Sequence, residues 1–417
     1  MKRSDLSSGG NKFKYCSVRL IISIIFALSV LYSVGCGVGG GGSSTNGQNT
    51  KTIDGWTIEP IATNNVNAAN GEINVVIDGD NKLHVSYWDM NEGFGGLKYA
   101  TNKSGLWKTE TVASSDDKTY VGEMNSIAIE LDGTPHISYH VFDNLMDDVN
   151  SEAIVHATKT GGAWLTETVF SPFNNEVQYG HNVIKIGDNN TIHIAAHQVE
   201  SGGHYVSIKY AYKTGGQWNY EVAASDDNFP YNTLDIFDME LDSSGIPHII
   251  YATYDDRDLY TSDRTGPNMW ASNLFIKNLN QPIAGLGLDP IIDSLDLAIG
   301  NNGERYLILF ENSGKYYMVL NSELNYLDSD TSGGILFPRI LVDRNGNLYY
   351  MYFKSFSYGE YTIFVGTNKT GKFIYTMISG FKTMSPNAAF AVDNNGEVYI
   401  VYQAYEKNEL NVAHKVL

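Results

Sequence analysis

The sequence predicts an all-β protein built as a closed ring of seven four-stranded antiparallel blades. Three observations carry that reading. One turn-plus-strand unit recurs seven times, helical periodicity is nearly absent, and the strand missing from the last unit stands at the start of the repeat region. The unit is IDGDNKLHVSYWD at 77–89, then IELDGTPHISYHV (129–141), IGDNNTIHIAAHQ (186–198), LDSSGIPHIIYAT (241–253), IGNNGERYLILFE (299–311), VDRNGNLYYMYFK (342–354) and VDNNGEVYIVYQA (392–404). Its anchors are His84, His136, His193, His248, Tyr306, Tyr349 and Tyr399, spaced 52, 57, 55, 58, 43 and 50 residues apart. Periods of this length belong to ring or stacked repeat architectures.

The elements of one unit follow in order. An apolar first strand precedes a turn rich in Asp, Asn and Gly, where glycine supplies the positive φ of a tight hairpin. The anchor strand comes next, with side chains alternating at period two. A third strand reads LKYAT (97–101), IVHAT (154–158) or IKYAY (208–212). A glycine turn then leads to a Trp-led fourth strand, as in SGLWKTETV, GGAWLTETV and GGQWNYEVA. The last unit ends at LNVAHKVL (410–417), its third strand. Its fourth is GWTIEPIA (55–62), whose Trp56 and Glu59 keep the spacing of Trp107/Glu110, Trp164/Glu167 and Trp218/Glu221. An N-terminal strand completing the last blade closes the ring and removes the edges that an open stack would have to cap. The prediction is a seven-bladed β-propeller over residues 51–417.

Composition limits the function. The chain has 417 residues, with 28 Lys+Arg against 47 Asp+Glu and a formal charge of −19. Such acidity argues against a nucleic-acid partner, whose phosphates are held by basic side chains. Aromatic residues at 12% and charged residues at 18% set the chain apart from disordered sequences. Residues 1–35 read as a signal peptide: Lys2, Arg3, Lys12, Lys14 and Arg19 flank or precede the apolar run LIISIIFALSVL (20–31), and Ser33, Val34 and Gly35 lead into Cys36. Residues 37–50 (GVGGGGSSTNGQNT) form a flexible tether with a reach of roughly 20 Å. Without residues 1–35 the chain carries 23 basic against 46 acidic residues, and Cys36 is its only cysteine. That leaves no thiolate nucleophile, haem attachment or zinc–thiolate site in the ring.

The SVGC segment resembles the lipobox of bacterial lipoproteins. This implies lipidation of Cys36, membrane attachment through residues 36–50, and a place in the bacterial cell envelope, at the outer membrane or cell surface. The segment departs from the family pattern at Ser33, where Leu is favoured, so plain cleavage and an uncleaved anchor stay open. The turn-plus-strand DSSGIPHIIY, the KYAT strand and the GGxWxxE strand resemble exported bacterial propellers of the sialidase-like, Asp-box type. That resemblance implies the fold and leaves activity open, because such propellers include sialidases, lectins and binding proteins. The box Ser-x-Asp-x-Gly-x-x-Trp is itself absent, since NKSGLW and TKTGGAW keep the turn and the Trp and lack the aspartate. Sialidases of this fold hold a substrate carboxylate with three arginines. Here the arginines after Cys36 are Arg257, Arg264, Arg305, Arg339 and Arg344, none of them before the fourth blade.

Repetition separates scaffold from candidates for function. Residues that recur at one blade position, such as the anchor histidines and the blade tryptophans, solve a blade problem. Pattern breaks concentrate in the connections after the second and fourth strands, which share one face of the ring, termed X; the short Gly-rich hairpins share the other, Y. Irregular connections on a rigid ring are where binding residues gather. The candidate ligand-binding set is Trp88, Asp89, Phe142, Asp147, Asp148, Tyr179, Tyr231, Tyr254, Asp255 and Asp256, aromatic and acidic groups suited to a sugar, a cation or a protein hot spot. His140, His181 and His197 fall outside the repeat and form a candidate divalent-metal set; no other cofactor is expected. The function expected is a non-catalytic binding or assembly module for a glycan or an envelope protein, in a monomeric propeller. The alternatives are a glycoside-processing enzyme and a metal site between blades 2 and 3.

Overall fold

The computed structural model describes residues 50–63, 66–68, 72–90, 94–143, 152–171, 177–200, 206–226, 236–252, 258–276, 292–311, 314–320, 323–329, 337–357, 360–370, 374–377, 383–404 and 408–417. These belong to one compact unit, Gln48–Leu417. Cys36, the signal segment and most of the tether lie outside the described residues. No helix among the described residues is long and apolar enough to cross a membrane.

The fold is all-β and has seven blades. Strands β1 (Lys51–Ile53) and β2 (Trp56–Ala62) open the chain. Blade 1 is β3 (Ile73–Ile77), β4 (Leu83–Asp89), β5 (Gly96–Thr101) and β6 (Lys108–Ser114). Blade 2 is β7 (Thr119–Ile129), β8 (Pro135–Asp143), β9 (Glu152–Thr160) and β10 (Ala163–Phe170). Blade 3 is β11 (Val177–Ile186), β12 (Ile192–Glu200), β13 (Val206–Thr214) and β14 (Gln217–Asp226). Blade 4 is β15 (Phe237–Leu241), β16 (Pro247–Ala252), β17 (Leu259–Gly266) and β18 (Met269–Ile276). Blade 5 is β19 (Ile292–Ile299), β20 (Arg305–Glu311), β21 (Lys315–Leu320) and β22 (Glu323–Ser329). Blade 6 is β23 (Arg339–Val342), β24 (Leu348–Ser357), β25 (Glu360–Thr367) and β26 (Ile374–Met377). Blade 7 is β27 (Thr383–Val392), β28 (Glu397–Ala404) and β29 (Leu410–Val416), completed by β2.

Closure follows the predicted route. β2 pairs antiparallel with β29, from Thr57 opposite His414 to Ala62 opposite Leu410. The first strands of successive blades touch one another in turn, and β27 touches β3 to complete the circle. One element was not foreseen. β1 folds back on β2 through Asp54 (φ 50°) and Gly55 (φ 79°), so a fifth, three-residue strand shields the edge of the closing strand.

The repeated residues hold the blades in place, as repetition implied. Each anchor side chain reaches an acid in the preceding turn or a partner on the third strand: His84 Nε2 lies 3.1 Å from Asp78 Oδ2, His193 Nδ1 2.6 Å from Tyr210 Oη, and His248 Nδ1 2.8 Å from Asp263 Oδ1. Burial drives the His193 imidazole down to about 4, so it stays neutral at neutral pH. The fourth-strand tryptophans pack edge-on against the third strand of the blade before: Trp164 on Tyr99 at 5.2 Å and Trp270 on Tyr210 at 5.0 Å. The glutamate three residues on reaches the other way, to the third strand of the blade after. Glu110 pairs with Lys159, Glu167 with Lys213, and Glu221 bidentately with Arg264 at 2.7 and 3.0 Å. Trp-x-x-Glu is therefore a blade-to-blade clasp.

The X ends of blades 2 and 3 differ from expectation. Residues 114–123 and 171–182 read as connections, yet β7 begins at Thr119 and β11 at Val177. Each strand carries a bulge, between Val121 and Asn125 in one and between Tyr179 and Asn182 in the other. The extra residues break the period-two alternation and disguise the strand.

Candidate functional site

At the X face the predicted residues divide into three groups. Trp88 and Asp89 sit on β4 and are 5% and 7% exposed, so neither offers an open surface. Gly95 (φ 89°) lies against the Trp88 indole, where a Cβ would come within 3.1 Å of Nε1. Asp89 Oδ1 accepts from Asn67 N at 3.0 Å and so fastens the connection between blades 7 and 1. Phe142 and Tyr179 belong to a second group on the facing sides of blades 2 and 3, described next. Asp147, Asp148, Tyr231, Tyr254, Asp255 and Asp256 lie outside the described residues.

The second group lies where blades 2 and 3 meet. Phe142, half-buried, stacks between Tyr120 at 5.1 Å and His140 at 5.5 Å. Tyr179, from blade 3, stacks on Phe170 of blade 2 at 5.8 Å, and burial pushes its hydroxyl up to about 12. A carboxylate ties the two blades together: Glu152 Oε2 accepts from Tyr179 N at 2.8 Å and stands 3.3 Å from His140 Nε2. Opposite Tyr179 across the sheet is Gln198, and opposite Gln198 is Ser207. Sequence reasoning passed over both, since one polar residue on a strand gives no signal by itself.

The three candidate metal ligands are not brought together. His140 faces Glu152, whereas His181 Nδ1 lies 3.5 Å from Glu72 Oε1 of the blade 1 side and its ring meets Phe237 of blade 4 edge-on at 5.1 Å. His197 is buried beside Gly180. Among the described residues no group of three or more His, Cys, Asp or Glu is placed to hold a metal ion.

The first strands carry a second set of unusual groups. They link blades 2 to 3, 4 to 5 and 5 to 6: Ser126 Oγ accepts from Ile184 N, Asp238 Oδ2 from Leu297 N at 2.9 Å, and Asp296 Oδ2 from Ile340 N at 2.6 Å. Lys185 Nζ donates to Glu240 Oε2 at 2.5 Å beside them. Burial, reinforced by the Asp238 charge, pushes the Asp296 carboxyl up to about 7 against the pull of Arg339 and Lys185.

No protein family and no curated protein matches the chain in sequence. Solved structures do match it in shape. The Hadza microbial sialidase Hz136 superposes with a TM-score of 0.52 at 9% identity, over 84% of this chain and 66% of that one. The sialidase of Trypanosoma rangeli in complex with 2,3-difluorosialic acid gives 0.50 at 8% identity, over 88% of this chain and 59% of that one. The fold is sialidase-like. This sialidase-like ring spans less than two thirds of either neighbour's length, and identities this low carry the architecture alone. The Aleuria aurantia lectin, a TM-score of 0.44 at 13% identity over 75% of this chain and 98% of the lectin, is a more distant match.

Proposed function

We propose that this sialidase-like propeller is an exported, lipid-anchored module that binds a glycan on the X face of blades 1 to 4 and does not turn it over. The observation that carries the reading is the aromatic stack Tyr120–Phe142–His140, beside a carboxylate, Glu152, that ties blades 2 and 3 together. Aromatic rings beside hydrogen-bonding groups are the surface on which a sugar's apolar face and hydroxyls both find partners. The fold neighbours include sialidases, one of them holding a sialic-acid derivative, which supports a glycan over a protein ligand.

The test is binding by the whole chain, solubilised in detergent, to an array of envelope and host glycans. Phe142→Ala should weaken binding at least tenfold while the melting temperature stays near the parent's, an anchor being worth about 2 kcal/mol. The Y-face change Lys82→Ala should leave affinity unaltered. Equal loss in both would remove the X face from consideration. Trp88→Ala is a poor probe, because it empties a buried position. The anchor has its own check: Cys36→Ser should move the protein from the membrane to the soluble fraction, and unchanged partitioning into detergent would refute lipidation.

A second reading, glycoside processing, is favoured by one observation. Asp238 and Asp296 form a carboxylate pair in which one member is held near neutrality, the usual arrangement for a general acid. Each has an oxygen committed to a backbone N–H of the next blade, which is a scaffold role. Glycoside turnover abolished by Asp296→Asn would move the function to the axis.

A further inference from the structure

We propose that blade 2 binds one proton between the buried imidazoles of His136 and His156, and that this proton sets the strength of the clasp between blades 2 and 3. The proposal is independent of the ligand that the ring carries.

The blades differ at one repeated position. The anchor histidine of blades 1 and 3 meets a tyrosine hydroxyl on the third strand, Tyr99 at 2.5 Å and Tyr210 at 2.6 Å. A hydroxyl gives or takes a proton as its partner needs. In blade 2 that position holds His156, fully buried, and its Nε2 lies 2.9 Å from His136 Nδ1. The ring centroids are 5.1 Å apart and the planes differ by 11°. Nitrogens this close at that separation require rings set head to head in one plane. That is the geometry of an N–H···N hydrogen bond.

The far nitrogens are engaged as well. His136 Nε2 lies 2.9 Å from Glu130 Oε1, and His156 Nδ1 lies 2.9 Å from Glu167 Oε1. Burial works against the Glu167 charge, yet hydrogen bonds from Lys213 and His156 hold its carboxyl below the ordinary carboxylate range. Ionised carboxylates only accept, and a neutral imidazole owns one ring proton. Two neutral rings therefore bring two protons to three contacts, and one contact is left with lone pairs facing each other. Thr158 Oγ1, 3.5 Å from His136 Nε2, is too far to repair the Glu130 contact. A third proton, shared along the line between the rings, satisfies all three.

Charge points the same way. The charged groups facing the pair are Glu130 and Asp132 of the β7–β8 turn, Glu167 of β10 and Lys213 of β13. Lys103 of blade 1 answers Asp132. These carboxylates outnumber the lysines by one, and the shared proton cancels the difference. Burial lowers the proton affinity of each ring by itself, His156 to about 4, so the pair takes one proton and refuses a second. Blade 4 shows the same logic with one ring. His248 lies 2.8 Å from Asp263 and 3.3 Å from Asp242, and against the effect of burial the two acids raise it above the ordinary histidine value.

The proton bears on the clasp because its neighbours belong to the clasp. Trp218 of blade 3 meets His156 edge-on at 5.6 Å, and Glu167 accepts from both His156 and Lys213. Without the proton, lone pairs oppose one another inside the packing that joins the two blades.

The test compares the parent with His156→Tyr, which restores the pairing of blades 1 and 3. A proton held by the folded pair stabilises the ring at acid pH, and that gain is lost as pH rises through the folded value. The parent's melting temperature should therefore fall relative to the variant's, by about 3 °C or more between about pH 6 and about pH 9. Glu130→Gln, whose amide can donate to His136 Nε2, should remove the same slope. Nitrogen NMR on the histidine-labelled full chain in detergent should find three protonated nitrogens on the two rings at about pH 6. A parallel pH course in the parent and both variants overturns the proposal. The opposite slope does so too, because two neutral buried rings would lose stability on acidification. Only two protonated nitrogens would also refute it. Zinc(II) or copper(I) bound by the parent and not by His156→Tyr would put a metal ion where the proton is proposed, and overturns it.

Discussion

Deleting residues 51–63 should cost the ring about 5 kcal/mol or more and leave it prone to association. The segment supplies β1 and β2, the closing strands. Trp56, Ile58 and Ile61 are 1%, 8% and 6% exposed, and burying a large apolar side chain is worth about 1.5–3 kcal/mol. Their loss also strips the hydrogen-bonding edge of β29 from Thr57's partner His414 to Leu410. An uncovered strand edge is a template for pairing with another chain. Thermal melting and light scattering read both effects. A truncated protein that stays monomeric and melts where the parent melts would disprove closure through β2. Trp56→Ala isolates the packing share and should cost about 3–5 kcal/mol.

Asn125→Ala should be nearly as damaging, at about 4 kcal/mol, although it removes only a small polar side chain. Asn125 is fully buried in the bulge of β7. Its Oδ1 accepts from Ser86 Oγ at 2.6 Å and Asn74 Nδ2 at 3.3 Å, both in blade 1. Its Nδ2 donates to Glu72 O at 3.0 Å and Gly122 O at 3.1 Å. Alanine leaves those groups facing a void, and each orphaned buried group costs about 1–3 kcal/mol. Gly122 cannot move to compensate, because its φ of 85° and its contact with Leu97 fix the bulge. Urea unfolding with an unchanged slope gives the number. A loss below about 1 kcal/mol would mean that water substitutes for the amide, against the tight packing seen here.

Blade number, strand order and closure were legible in the sequence because every blade solves the same problem with the same residues. Asp242 shows why: its carboxylate caps Ser244 N and Ile246 N while Gly245 (φ 75°) turns the chain, so the turn must be spelled almost the same way each time. The links between first strands were not legible. Asn125, Ser126, Asp238 and Asp296 do one job with three residue types, because any side chain that reaches the next backbone will serve. The placing of the candidate residues was legible only in part. Phe142 and Tyr179 lie where blades 2 and 3 meet, whereas Trp88 and Asp89 read as loop residues and are the buried end of a strand.

The pairing of β2 with β29 also sets a schedule. The first full-length strand of the ring leaves the ribosome some 350 residues before its partner. Until that partner arrives, Trp56 and Ile58 have nowhere to go, and six blades must form around a gap. The same holds for Gln403, whose amide donates to the Val66 carbonyl 337 residues away. Contacts so distant along the chain are the slow ones to form, and the waiting strand is open to capture meanwhile. Completion is thus a single late event, after the third strand of blade 7 has been made. For this ring a pause, a nick or a premature stop ahead of β29 leaves β2 without its mate.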